Sequence, residues 1–184
     1  AALALALVAA PWLAALMGSR PAVPAMLVQA GLPGEHHWKV YLPTVIGSFV
    51  VMGGLFSLER RGYLRAVFLT AVGLIALVQV GFWAEASSTP SVSALAFLLF
   101  IFFVGFNVLE ASQPSMASRL APGPARGAAM GAYNTLQSLG LFAGGLIGGS
   151  LMKHLGAQGL FTACAGAMLL WLLVAWPMQA SKAG

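Results

Sequence analysis

Apolar residues in this chain come in long, nearly unbroken runs rather than in alternating patterns or narrow stripes. Six runs can be marked off, at 1–29, 39–58, 63–84, 92–118, 127–151 and 159–178. Each is about as long as, or longer than, the roughly 20 apolar residues an α-helix needs to cross a bilayer. None alternates, and all exceed the roughly 9–11 residues of a membrane β-strand, so helices are predicted rather than a barrel. The first run is interrupted by Pro11, Pro21 and Pro24. Turns fall on Gly31-Leu32-Pro33-Gly34, Ser87-Ser88-Thr89-Pro90 and Ala121-Pro122-Gly123-Pro124, each rich in residues that stop a helix or preset a turn. Connections this short make consecutive helices antiparallel neighbours.

Composition fixes the solvent. Hydrophobic residues make up 60% of the 184-residue chain and charged residues 7%, with a mean hydropathy of +0.90. A soluble domain carries about a quarter of its residues as charges, so these few ions cannot cover a water-facing surface. Apolar runs in every quarter of the sequence exclude a lone signal peptide or anchor on a soluble body. The 22 glycines suit membrane helices that pack closely.

The net charge of +5 does not indicate nucleic acid, because the basic residues are scattered over short connections with no aromatic–basic stripe. Their distribution predicts orientation instead. Arg60, Arg61, Arg65, Arg119, Arg126 and Lys182 fall on one side, and only Lys39 and Lys153 on the other. The positive-inside rule puts the first set, and the C-terminus, in the cytoplasm. Arg20, late in the first run between Ser19 and Pro21, is read as snorkelling to the opposite interface, with a cavity-facing position as the alternative.

The single cysteine, Cys164, excludes an internal disulfide and a cysteine-based metal site. Glu35-His36-His37 points three side chains in different directions on a turn, so no metal is predicted there. His37 beside Trp38 reads as part of the interfacial girdle, and His154 as a loop residue. No nucleophile triad or phosphate-binding glycine loop occurs, so neither an enzyme nor a cofactor is expected. The chain opens on Ala1, already inside an apolar run, as an excerpt of a longer polypeptide would.

One stretch carries a resemblance. Phe106-Asn107-Val108-Leu109-Glu110-Ala111-Ser112-Gln113-Pro114-Ser115, leading to Arg126-Gly127-Ala128-Ala129-Met130-Gly131-Ala132-Tyr133-Asn134-Thr135-Leu136-Gln137, resembles the tenth and eleventh helices of bacterial drug:proton antiporters of the major facilitator superfamily, YajR-like branch. His37-Trp38-Lys39-Val40-Tyr41-Leu42 is similar to the start of that branch's eighth helix. The resemblance covers most of the chain and is weak in the first run. It implies an all-α membrane protein whose six transmembrane helices, two inverted three-helix repeats, form the C-terminal half of a twelve-helix fold. The N-terminal half, and the small soluble domain that follows the last helix in that branch, would lie outside this sequence. The implied function is proton-coupled efflux of small lipophilic molecules across the bacterial inner membrane by alternating access. The partners would be the lipid bilayer, the N-terminal six-helix half, protons and a small-molecule substrate. An importer of sugars or metabolites, and a stand-alone six-helix scaffold acting as a homodimer, stay open as alternatives. An intramembrane enzyme would need paired ionisable residues at one depth, which the sequence lacks.

Glu110 is the first candidate residue. A carboxylate within an apolar run costs roughly 2.5–3.5 kcal/mol at the centre of the helix, so it is expected to face the bundle interior and to have a partner. By pseudo-symmetry with the superfamily's basic loop, the resemblance implies a cytoplasmic charge latch joining Glu110 to Arg60, Arg61 or Arg65. A static ion pair, or a proton carried by Glu110 itself, are the alternatives. Glycines are the second signal: Gly140, Gly144 and Gly148 recur every fourth residue, Gly145 and Gly149 add a parallel pair, and Gly127 and Gly131 repeat the spacing. A face without side chains lets a neighbouring backbone approach closely. The resemblance further implies that the Gly127–Gly131 end docks against a carboxylate of the other half. Asn107, Gln113, Asn134 and Gln137, with Gln79 and Ser138, are candidates for a substrate path; hydrogen bonds between helices are the plainer reading.

Overall fold

The computed structural model of the chain describes residues 22–58 and 63–176, and these are all-helical. They form α1 (Ala22–Gln29), α2 (Trp38–Leu58), α3 (Leu64–Ala86), α4 (Val92–Leu120) and α5 (Arg126–Ala175). Short 3₁₀ turns at Gly34–His36 and Gly123–Ala125 lead into α2 and α5, at the Gly/Pro clusters that mark turns in the sequence. Among the described residues, four helices are long and apolar enough to cross a membrane. The predicted first run falls outside the described residues up to position 21, and Arg20 with it.

The predicted 39–58, 63–84 and 92–118 helices appear as α2, α3 and α4, with ends shifted by one or two residues. The connection between the two last runs is shorter than expected. Predicted as separate helices, 127–151 and 159–178 are two helical limbs that meet at Gly156, whose φ of 67° and ψ of −171° are non-helical, with a single glycine where a connection of several residues is expected; positions 177–178 lie outside the described residues. Lys153-His154-Leu155 offers no proline or turn cluster to stop the helix earlier. Only glycine takes this backbone conformation readily.

The two limbs of α5 nevertheless run in opposite directions. Gln137 meets Glu110 and Tyr133 meets Gln113, so residues 126–155 run antiparallel to α4. Phe161 stacks on Phe82 at 5.3 Å and Trp171 meets Phe68 edge-on at 5.6 Å, so residues 157–175 run antiparallel to α3. Since α3 and α4 are themselves antiparallel, with Gly81 beside Leu98 and Gly105 beside Ile75, the chain reverses at Gly156.

The centre of the bundle is α4, which touches α1, α2, α3 and α5, whereas α2 and α3 scarcely meet. Lipid removes most of the hydrophobic drive between helices, leaving close fit and polar contacts to hold them. Gly105 supplies the close fit between α3 and α4. A Cβ there would lie 2.9 Å from Ile75 Cγ1 and 3.1 Å from the Ala71 carbonyl oxygen. Pro43 removes one ladder donor near the start of α2, and Thr44 Oγ1 donates to the Val40 carbonyl (2.8 Å) in the same turn. Large apolar side chains such as Leu42, Val50, Phe142 and Leu146 stay exposed, the surface expected of helices bathed in acyl chains.

Candidate functional site

Three polar residues of α4, Asn107, Glu110 and Gln113, follow one another at three-residue intervals, which places them along one side of the helix. Each is held by another helix or limb. Asn107 Nδ2 donates to Ser48 Oγ of α2 at 2.8 Å. Gln137 Nε2, on the first limb of α5, donates to Glu110 Oε1 at 3.0 Å. Tyr133 OH donates to Gln113 Oε1 at 3.1 Å. Ser48, Tyr133 and Gln113 are buried, while Asn107, Glu110 and Gln137 are half-buried. The polar ladder therefore ties α4 to α2 on one side and to α5 on the other.

Two sequence features shape this ladder. Tyr133 and Gln137 are four residues apart and share a helix face, matching the three-residue step from Glu110 to Gln113. Pro114 stands four residues after Glu110 inside α4 and has no N–H, so the Glu110 carbonyl loses its usual ladder donor. A carboxylate and an under-bonded carbonyl of one residue thus sit at the same depth. Glu110 is ten residues from the last residue of α4, about 15 Å along the axis at 1.5 Å per residue. That puts it about 6 Å from the helix midpoint, on the C-terminal side.

The structure does not bring Arg65 to Glu110. Arg65 Nη2 donates to the Trp176 carbonyl oxygen at 2.6 Å, at the end of the second limb of α5. Arg60 and Arg61 lie outside the described residues. Among the described residues, the partner of the Glu110 carboxylate is the Gln137 amide, and no arginine is in ion-pair range.

The remaining candidates divide by burial. Asn134 is exposed one turn from Gln137, and Ser138 is exposed with its hydroxyl turned back on the Asn134 carbonyl (3.0 Å). Gln79 is fully enclosed in α3, off the α4 ladder, and neither of its side-chain polar atoms has a hydrogen-bond partner among the described residues. Gly140, Gly144 and Gly148 are buried along one face, whereas Gly127 and Gly131 lie exposed with open space where a Cβ would go. No cluster of three metal-ligating side chains occurs among the described residues. Sequence reasoning missed Ser48 and Tyr133. Tyr133 had a signal, its helical spacing from Gln137, but Ser48 is one hydroxyl in an apolar run and only tertiary contact reveals it.

A chain that turns repeatedly through apolar helices around a polar ladder has the character of a membrane carrier, and its similarities agree. It is 36% identical over 165 residues to the inner membrane transport protein YajR of Escherichia coli (strain K12), covering 89% of this chain and 36% of that protein. It is 32% identical over 123 residues to the uncharacterized transporter BU466 of Buchnera aphidicola subsp. Acyrthosiphon pisum (strain APS), covering 66% of this chain and 31% of that protein. The chain thus spans about a third of the length of these relatives. The Major Facilitator Superfamily profile matches residues 1–182, nearly the full length, and the chain belongs to that superfamily of membrane transporters.

Proposed function

We propose that this chain is the C-terminal half of a proton-coupled exporter of small lipophilic compounds in the bacterial inner membrane. In this reading it crosses the bilayer six times, as two inverted three-helix units, and the C-terminus is cytoplasmic. It works with an N-terminal six-helix half by alternating access around a site near the midplane. The observation that carries the reading is Glu110, an acid inside an apolar helix whose carboxylate is met by an amide rather than a cation. An intramembrane ionisable residue with a named partner is, by default, a functional one.

The ladder gives Glu110 a mechanical role. Asn107, Gln113, Asn134 and Gln137 then offer amides along the substrate path, and a lipophilic substrate needs few of them beside an apolar wall. Arg60, Arg61 and Arg65 latch to Glu110 in the opposite state of the cycle, after Arg65 leaves the Trp176 carbonyl. Gly127 and Gly131, bare at the start of α5, provide a smooth docking edge for the other half, and the positive end of the helix dipole suits an acidic partner there. The buried Gly140–Gly148 face lets α5 pack close to its neighbour and slide.

The test is transport in inverted membrane vesicles containing the complete protein, energised with a proton gradient and offered a panel of lipophilic dyes. Gradient-dependent accumulation inside such vesicles supports export. Uptake of sugars or metabolites into right-side-out vesicles, with no dye movement, overturns it in favour of import.

A further inference from the structure

The two rungs that join α4 to the first limb of α5 differ in what they can titrate. In one, Tyr133 OH donates to Gln113 Oε1 at 3.1 Å, and both side chains are buried. Neither group changes charge near neutral pH. In the other, Gln137 Nε2 donates to Glu110 Oε1 at 3.0 Å, and one of the two groups is an acid. Because α4 meets α5 far less than it meets α2 or α3, each rung matters to the joint. The other groups around Glu110 are already committed. From α2, Ser48 Oγ is taken by Asn107 Nδ2. From α3, Ala71 and Ile75 lie against Gly105 and offer no ionisable group. From α5, the Tyr133 hydrogen goes to Gln113. Arg65 bonds the Trp176 carbonyl, Arg126 Nε bonds the Ser118 carbonyl, and Arg119 is exposed in the last turn of α4. Lys39 opens α2 and Lys153 stands at the far end of the first limb of α5. No cation among the described residues is in ion-pair range of Glu110.

We propose that Gln137 is a positioning residue for Glu110, holding the acid against α5 in both of its protonation states. An ionised carboxylate only accepts hydrogen bonds, a protonated one also has an O–H to give, and a primary amide carries both a donor and an acceptor. With Glu110 ionised, Gln137 Nε2 donates to Oε1, the bond the structure shows. With Glu110 protonated, that bond stays and a second, from Glu110 Oε2–H to Gln137 Oε1, closes beside it. A cation in this place would hold Glu110 ionised, and an apolar side chain would hold it neutral. The amide serves both forms, so the first limb of α5 keeps its hold on α4 while the proton comes and goes. Glu110 is half-buried, so the proton arrives from water and returns to water on its open side. The Tyr133–Gln113 rung, one turn away on both helices, keeps the two in register throughout. That this proton is the one coupled to export rests on the reading above, whereas the exchange at the rung does not.

The complete protein in detergent is titrated while difference infrared spectroscopy follows the carboxylic-acid C=O stretch, and the Glu110 band is the one lost in Glu110→Gln. The unmodified protein is expected to show a titrating Glu110 band at the frequency of a hydrogen-bonded acid. In Gln137→Leu the band moves up to the frequency of a free acid. In Gln137→Lys the midpoint of the titration falls by about one pH unit or more, as beside any fixed cation. Absence of a titrating Glu110 band overturns the proposal. An unmoved band in Gln137→Leu, or an unmoved midpoint in Gln137→Lys, overturns it as well, and either variant alone decides should the other fail to fold. Failure of the export reading shows separately, as a normal titration in a protein that moves no dye in the vesicle assay.

Discussion

Glu110 concentrates the physics of the chain in one side chain. It is half-buried, within about 6 Å of the midpoint of its helix, and carries a charge that lipid disfavours by roughly 2.5–3.5 kcal/mol at the centre. One amide hydrogen bond cannot repay that, and bonds between membrane helices average only about 0.6 kcal/mol. An uncompensated residue of this kind points to function rather than stability. Glu110→Gln should therefore leave expression intact and lower transport roughly tenfold, the effect of losing a charge-assisted hydrogen bond of about 1.5 kcal/mol. Wild-type efflux at equal protein level would remove Glu110 from the mechanism. Gln79 is the counter-case: enclosed, without a hydrogen-bond partner among the described residues, and off the ladder. Gln79→Leu should keep transport and hold or raise thermal stability, since an unsatisfied buried amide costs about 1–3 kcal/mol. A marked loss of transport in that variant would place Gln79 on the substrate path after all.

At the scale of elements, much was legible in the sequence because membrane helices announce themselves by length and composition. The α2, α3 and α4 boundaries follow from where apolar runs meet Gly/Pro clusters, and the structure moves them by only one or two residues. The two α5 limbs meet at Gly156, inside the interval left between the runs ending at 151 and beginning at 159; what the sequence did not reveal is that a single glycine stands there in place of a loop. Gly156 is the hinge of that reversal at a φ of 67°, so Gly156→Ala should destabilise the protein by about 1–2 kcal/mol, read as a lower melting temperature in detergent. Gly105 binds α3 to α4 by having no side chain, and Gly105→Val should cost about 1–3 kcal/mol through overpacking against Ile75 and the Ala71 carbonyl. An unchanged melting temperature in either variant would show that the backbone there relaxes freely. The regular spacing of Gly140, Gly144 and Gly148 pointed to a packing face, and those three are buried. The same spacing could not tell them from Gly127 and Gly131, which are exposed, because periodicity fixes a face but not what covers it.

For the whole molecule, the family followed from the stretch between Phe106 and Gln137, and the superfamily profile extends it over residues 1–182. The candidate site was half legible. Polar residues on α4 stood out against an apolar background, but their partners lie 20 to 59 residues away, as with Tyr133 for Gln113 and Ser48 for Asn107, and no local pattern encodes such pairs. The expected partner of Glu110 was a cation drawn by analogy with a loop; of the described residues, the amide of Gln137 meets it and Arg65 does not, because α4 and the first limb of α5 share a polar face. The account as a whole depends on the chain weaving through the bilayer with its arginines gathered on one side. Single cysteines introduced as Arg61→Cys and Glu85→Cys, each in a Cys164→Ala background, test this with a membrane-impermeant thiol reagent applied to intact cells and to inverted vesicles. The account predicts labelling of position 61 only from the cytoplasmic face and of position 85 only from the opposite face. Labelling of both positions from one face would contradict it.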